Sequence, residues 1–161
     1  PLLPYTSLGV LNDIQDYILQ FTSPFANVKA INPLFEQVQF NFSVRFFEQY
    51  DVTVYGDLLN EAITQFLCPW AFGGSKDIEF GGKISKSVVL KFIEDQYYVD
   101  YVTCFKMNHW IDVDNNKVLY DVEEAIATTS RSIFTSYHNA DTGVQHIIAP
   151  ILVETETCDC I

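Results

Sequence analysis

The stretch Gln37-Val38-Gln39-Phe40-Asn41-Phe42-Ser43-Val44-Arg45-Phe46 decides the fold. Val38, Phe40, Phe42, Val44 and Phe46 alternate with Gln37, Gln39, Asn41, Ser43 and Arg45. Side chains of a strand point to opposite faces in turn, so this pattern predicts a strand with one apolar face and one polar face. The apolar face has to be covered by another layer, and the polar face is expected to be wet or to meet a partner. Gln37, Gln39, Asn41, Ser43 and Arg45 are therefore interface candidates.

On either side the period changes from two to that of a helix. Upstream, Leu11, Ile14, Ile18 and Phe21 recur at spacings of three and four until Thr22-Ser23-Pro24, the stripe and stop of an amphipathic helix. Asn27 to Ile31 reads as a short strand and Asn32-Pro33 as a turn. Downstream, Tyr55, Leu58, Leu59, Ala62, Ile63, Phe66 and Leu67 form one broad stripe over Asp51 to Leu67, which Pro69 ends. Ile78 to Ile84 reads as an extended piece bent at Gly81-Gly82. Ser85 or Ser87 is placed to cap a third helix that buries Val88, Val89, Phe92 and Ile93. Tyr97 to Met107, rich in aromatic and β-branched residues, reads as a central strand.

The order helix, strand, strand, helix, strand, helix, strand predicts an α+β fold, an antiparallel or mixed sheet with helices packed on one face. Residues 109–161 change character, with nine acidic and two basic residues, a turn at Asp114-Asn115-Asn116 and short apolar pieces at Val118 to Tyr120, Ser132 to Thr135 and Val144 to Val153. The expectation is an α+β core domain over 1–108 and a β-rich, acidic, peripheral C-terminal extension over 109–161.

Composition narrows the function classes. The 161 residues suit one ordinary domain, and 48% hydrophobic against 19% charged residues gives a chain that folds. Nine Lys and Arg against 21 Asp and Glu leave a net charge of −12, too acidic for a surface that neutralises nucleic-acid phosphates. No stretch has the roughly 20 apolar residues that cross a bilayer. No basic leader points to secretion, and the missing Met at position 1 favours a piece of a longer protein. Cys68, Cys104, Cys158 and Cys160 are too unevenly placed for a disulfide scaffold and are expected to be reduced, with Cys68 and Cys104 inert in apolar runs.

Motifs that carry chemistry are incomplete. Gly82-Lys83 lacks the Ser or Thr of a phosphate loop, and Asp77 stands where its first glycine belongs. Asp112, Asp114, Asn116 and Glu123 occupy positions 1, 3, 5 and 12 of a calcium loop, yet Lys117 replaces the turn glycine and a polar hairpin turn explains the same residues. Cys158 and Cys160 lack the second ligand pair of a structural zinc site. No cofactor is expected. No nucleophile, base and orienter share a plausible spacing, although carboxylates and histidines brought together only by the fold could form a small hydrolase site.

Four blocks in the middle of the chain resemble a known family: Phe66-Leu67-Cys68-Pro69-Trp70-Ala71-Phe72, Ile78-Glu79-Phe80-Gly81-Gly82-Lys83-Ile84, Phe92-Ile93-Glu94 and Tyr98-Val99-Asp100-Tyr101-Val102. With Asn32-Pro33-Leu34-Phe35-Glu36 upstream and Ser130-Arg131-Ser132-Ile133 downstream, they are similar to the C-terminal region of baseplate J-like proteins of contractile phage tails and bacterial contractile injection systems. The resemblance implies a non-enzymatic wedge subunit that assembles with other baseplate and sheath-proximal subunits. Assembly would take place in the bacterial cytoplasm, as part of a phage-tail-like particle. Arg131 and Ser132 join the interface candidates.

Overall fold

A computed structural model describes residues 3–73, 77–139, 142–143 and 145–152. Its centre is β1 (Leu34–Phe46), the alternating strand, whose Val38, Phe40 and Val44 are completely buried. Antiparallel to it runs β3 (Val99–Asp112), which in turn pairs with the short β4 (Lys117–Leu119) across a tight turn. The other edge of β1 is shared by two parallel partners, β6 (Ser132–Ser136) beside its first half and β7 (Ile147–Pro150) beside its second. A separate ribbon pairs β2 (Lys83–Ser85) with β5 (Glu124–Ile126).

Helices α2 (Val52–Leu67) and α3 (Lys86–Glu94) cover the apolar face of this sheet. Asp51 caps α2, its carboxylate accepting from the N–H groups of Thr53 and Val54 at 3.0 Å. Leu59, Ile63 and Leu67 of α2 meet Val89 and Ile93 of α3 and the β1 row in one core. Each fully buried side chain of this size contributes roughly 1.5–3 kcal/mol, so this face supplies most of the apolar driving force. The architecture is the expected α+β class: a mixed sheet with helices on one face.

The chain departs from the sequence reading in several places. Asn27 to Ile31 forms no strand, and the helix order begins α1 (Leu8–Leu19), β1. Ser85 precedes α3 but makes no capping bond to the backbone; its hydroxyl meets that of Ser87 at 3.0 Å. The bend at Gly81 is real, with φ +64°. The position between 108 and 109 falls within β3. All five residues of β6 are buried, so this piece of the region expected to be peripheral is core. Cys104 is disulfide-bonded, which corrects the expectation that it is reduced, whereas Cys68 is free and buried as expected. Cys158 and Cys160 lie outside the described residues.

A bulge interrupts the pairing of β3 with β1. Asn41 faces Lys106 while Ser43 faces Thr103, so two residues of β3 stand opposite Phe42. Cys104, at φ +54°, takes the left-handed conformation that such an insertion requires. Phe105 lies over Phe40 and Phe42 at ring distances of 5.4 and 5.3 Å.

Candidate functional site

The expected wet face of β1 is only partly wet. Gln37 and Gln39 are buried because the segment after β6 folds over them. His138 N–H donates to Gln37 Oε1 at 3.0 Å, and Gln39 Nε2 donates to the Gln145 carbonyl at 3.1 Å. Trp110, opposite Gln37 on β3, stacks on Tyr137 at 5.0 Å and donates its indole N–H to Gln39 Oε1 at 3.3 Å. The Gln39 amide is thus engaged at both its nitrogen and its oxygen, and Gln37 at its oxygen.

The other half of the face is more open. Asn41, Ser43 and Arg45 are half-buried, and Arg45 Nε lies 3.7 Å from Asp100 Oδ2 with its guanidinium 6.0 Å from the Tyr101 ring centroid. Arg131 is exposed, at the opposite end of β1, whereas Ser132 is fully buried with its hydroxyl 2.8 Å from that of Thr129. Of the interface candidates, Asn41, Ser43 and Arg45 form one neighbourhood and Arg131 stands apart.

Asp112, Asp114 and Asn116 share the β3–β4 turn, where Asp112 is hydrogen-bonded to Asn115. Asp112 Oδ1 accepts from Asn115 N–H at 3.1 Å and Oδ2 from the Asn115 side-chain amide at 2.6 Å. These bonds hold the Asp112 carboxyl below its ordinary range. Glu123 instead joins Asp121 around Lys86, at 3.2 and 2.8 Å from Nζ. Among the described residues, no group of three or more His, Cys, Asp or Glu side chains is arranged to hold a metal ion.

Two buried histidine clusters escaped the sequence reading. In the first, His109 Nε2 lies 2.6 Å from Glu36 Oε2, while Glu36 Oε1 accepts from the N–H of Thr128 at 2.9 Å and from its hydroxyl. Burial alone would raise the Glu36 carboxyl, but hydrogen bonds from Ser132, Thr128 and His109 outweigh it and hold the group below the usual carboxylate range. The carboxylate is thus committed to partners of its own chain, three of them at hydrogen-bond distance from its two oxygens. The cleft of about 380 Å³ that reaches Glu36, walled by Tyr5, Phe35 and Ile111, therefore ends on a buried carboxylate already engaged by its own chain.

In the second cluster Phe40 N–H donates to His146 Nδ1 at 3.2 Å, which leaves the ring hydrogen on Nε2. Nε2 meets Ser136 Oγ at 3.1 Å, Ser136 Oγ meets Thr64 Oγ1 at 3.3 Å, and Thr64 donates to the Asn60 carbonyl at 2.9 Å. The protons run one way, from His146 to Ser136 to Thr64 to α2, the reverse of a serine activated by a histidine base. Burial pushes His146 down to about 3, so the ring is neutral. Beside it, Ser136 N–H donates to the Cys68 sulfur at 3.2 Å, and burial raises that thiol. Both clusters tie strands together. The sequence did carry a signal: Glu36 shares the parity of Val38 and Phe40, and an ionisable group on a core face demands a partner.

Comparison with known proteins places this geometry in context. The family model described as "Baseplate protein PVC11-like" matches residues 1–132. Among solved structures, a chain of the cryo-EM structure of the anti-feeding prophage (AFP) baseplate, 6-fold symmetrised, matches with a TM-score of 0.61 at 17% identity. That match covers 84% of this chain and 26% of the other, so the chain corresponds to about a quarter of the AFP baseplate chain. No curated protein sequence matches.

Proposed function

Because the chain belongs to the family of PVC11-like baseplate proteins, we propose that it is a structural component of the baseplate of a phage-tail-like contractile injection system. The observation that carries this reading is the family match from residue 1 to residue 132, which takes in α1 to α3, β1 to β5 and the start of β6. The shared fold with a chain of the AFP baseplate supports it. The finer reading is that of a wedge subunit of the baseplate J-like kind, joining neighbours and the sheath by protein contacts and assembled in the bacterial cytoplasm. The work is mechanical and not enzymatic. The internally bonded Glu36 carboxylate and His146, which meets the buried Ser136 hydroxyl, support that distinction, since each spends its chemistry on the fold. No helix among the described residues is long and apolar enough to cross a membrane.

Contacts are proposed through Asn41, Ser43 and Arg45 on the open half of the β1 face and through Arg131. The test is to tag the full-length native gene product, purify it from its host and identify its companions by mass spectrometry. Sheath, tube and spike-like proteins are the expected companions, and Arg45→Glu should reduce their yield several-fold. A product that purifies alone overturns the assembly reading. Unchanged yield from Arg45→Glu removes the β1 face from the contact.

A further inference from the structure

The 3-10 turn Pro69–Phe72 and the approach to β2 border a half-open cavity of about 180 Å³ against α2 and β6. Phe66, Trp70, Ile84 and Phe134 wall it, and Asp77 and Glu79 line it as well. Its floor is buried, whereas the two carboxylates are exposed and so stand at its outer edge. Sites for small organic ligands run to about 300–1,000 Å³, which leaves this one room for a single long side chain.

We propose that this cavity receives an arginine side chain from a partner protein. The proposal rests on the assembly reading above and names one contact of it.

Three observations select that occupant. First, charge is unbalanced here. Lys83 is taken by Glu124 at 3.0 Å, Lys86 by Asp121 and Glu123, and Lys91 by Asp95 at 3.0 Å. Among the described residues Asp77 and Glu79 have no such partner. Second, Glu79 lies close against Gly82. Its Oε1 lies where a Cβ on Gly82 would approach to 2.9 Å, so the side chain lies across the bare glycine. That glycine is anchored in turn, its carbonyl accepting from Ala127 N–H at 3.1 Å while Gly81 N–H donates to the Ser132 carbonyl at 2.9 Å. Third, the walls are aromatic: Trp70 is half-exposed, and Phe66 is fixed by stacking on Phe92 at 4.3 Å. A planar guanidinium stacks on an aromatic face while its fork engages carboxylates, which a lysine ammonium does less well.

The test uses the indole N–H resonances of ¹⁵N-labelled protein, with Trp110 as internal control. Acetyl-Gly-Arg-Gly-amide should shift the Trp70 signal saturably and leave that of Trp110 in place. Norleucine in place of arginine should abolish saturation, lysine should weaken it, and the double variant Asp77→Asn, Glu79→Gln should lower affinity at least fivefold. Both substituted positions are exposed, so the fold tolerates the change. A static Trp70 signal, equal response to the norleucine or lysine peptide, or wild-type titration of the double variant would each overturn the proposal. Failure here with sheath and tube proteins still co-purifying removes only the pocket. A saturable titration by a protein that purifies alone removes the baseplate reading and leaves the pocket.

Discussion

At the scale of single residues, the buried imidazole of His146 makes the fold sensitive to acid. Its pKa falls from an ordinary 6.5 to about 3 because burial penalises the cation. Above pH 6.5 both folded and unfolded chains hold it neutral. Below that the unfolded chain takes up a proton that the folded chain refuses until about pH 3, so stability is lost progressively across this window. The slope from one such group approaches about 1.4 kcal/mol per pH unit. Glu36 acts in the same direction: its lowered carboxyl contributes stability that is present above its unfolded pKa and lost as pH falls through the folded one. Denaturant melts between pH 7 and pH 4 should show falling stability, and His146→Gln, whose amide can still bridge Phe40 N–H and Ser136, should flatten the curve below pH 6.5. An equally steep curve in the variant would assign the acid sensitivity elsewhere. None of these partners was legible by spacing, since Glu36 and His109 lie 73 positions apart and Phe40 and His146 lie 106 apart.

Elements differ in how much of the fold they carry. Helix α1 shows a good amphipathic stripe, yet buries none of its residues. Leu8 is 77% and Phe25, just beyond the helix, 98% exposed. Hydrogen bonds at its flanks attach it, with Thr6 and Asn32 exchanging two at 2.9 Å and Ala30 N–H donating to Gln15 at 3.3 Å. Replacing Ile14 and Ile18 with Ser should therefore move the melting temperature by no more than about 2 °C, whereas Ile63→Ala in α2, fully buried, should cost about 2–5 kcal/mol. Thermal melts of the two variants decide it; a large loss from the α1 pair would mean that α1 is part of the core. Periodicity reads α1 and α2 alike because it reports which face is apolar and not whether another layer covers it. The same limit applies to β1, whose alternation was plain but whose polar face is half covered by a segment distant in sequence. In β3 the bulge at Cys104 moves the core-facing set from Val102 to Phe105, Met107 and His109, so the strand read over Tyr97 to Met107 from its composition shows no strict two-residue period.

For the whole molecule, the arrangement of charge favours a partner over a second copy. At net −12, two copies approaching through any broad surface bring like charges together, and that repulsion is strongest where salt does not screen it. Four of the nine cations are committed to carboxylates of their own chain, Arg45 to Asp100 and Lys83, Lys86 and Lys91 to Glu124, Asp121 and Asp95. The exposed apolar residues of α1 nevertheless favour association once charge is screened. Sedimentation velocity should therefore find the chain most nearly monomeric at about 20 mM salt, where the Debye length exceeds 20 Å, and increasingly self-associated at about 300 mM. Binding to a basic partner should show the opposite trend, its association rate falling as salt rises because steering between opposite charges is lost. Self-association that is strongest at low salt would mean that complementary patches on the chain itself outweigh its net charge, and a second copy would then displace the basic partner as the expected neighbour.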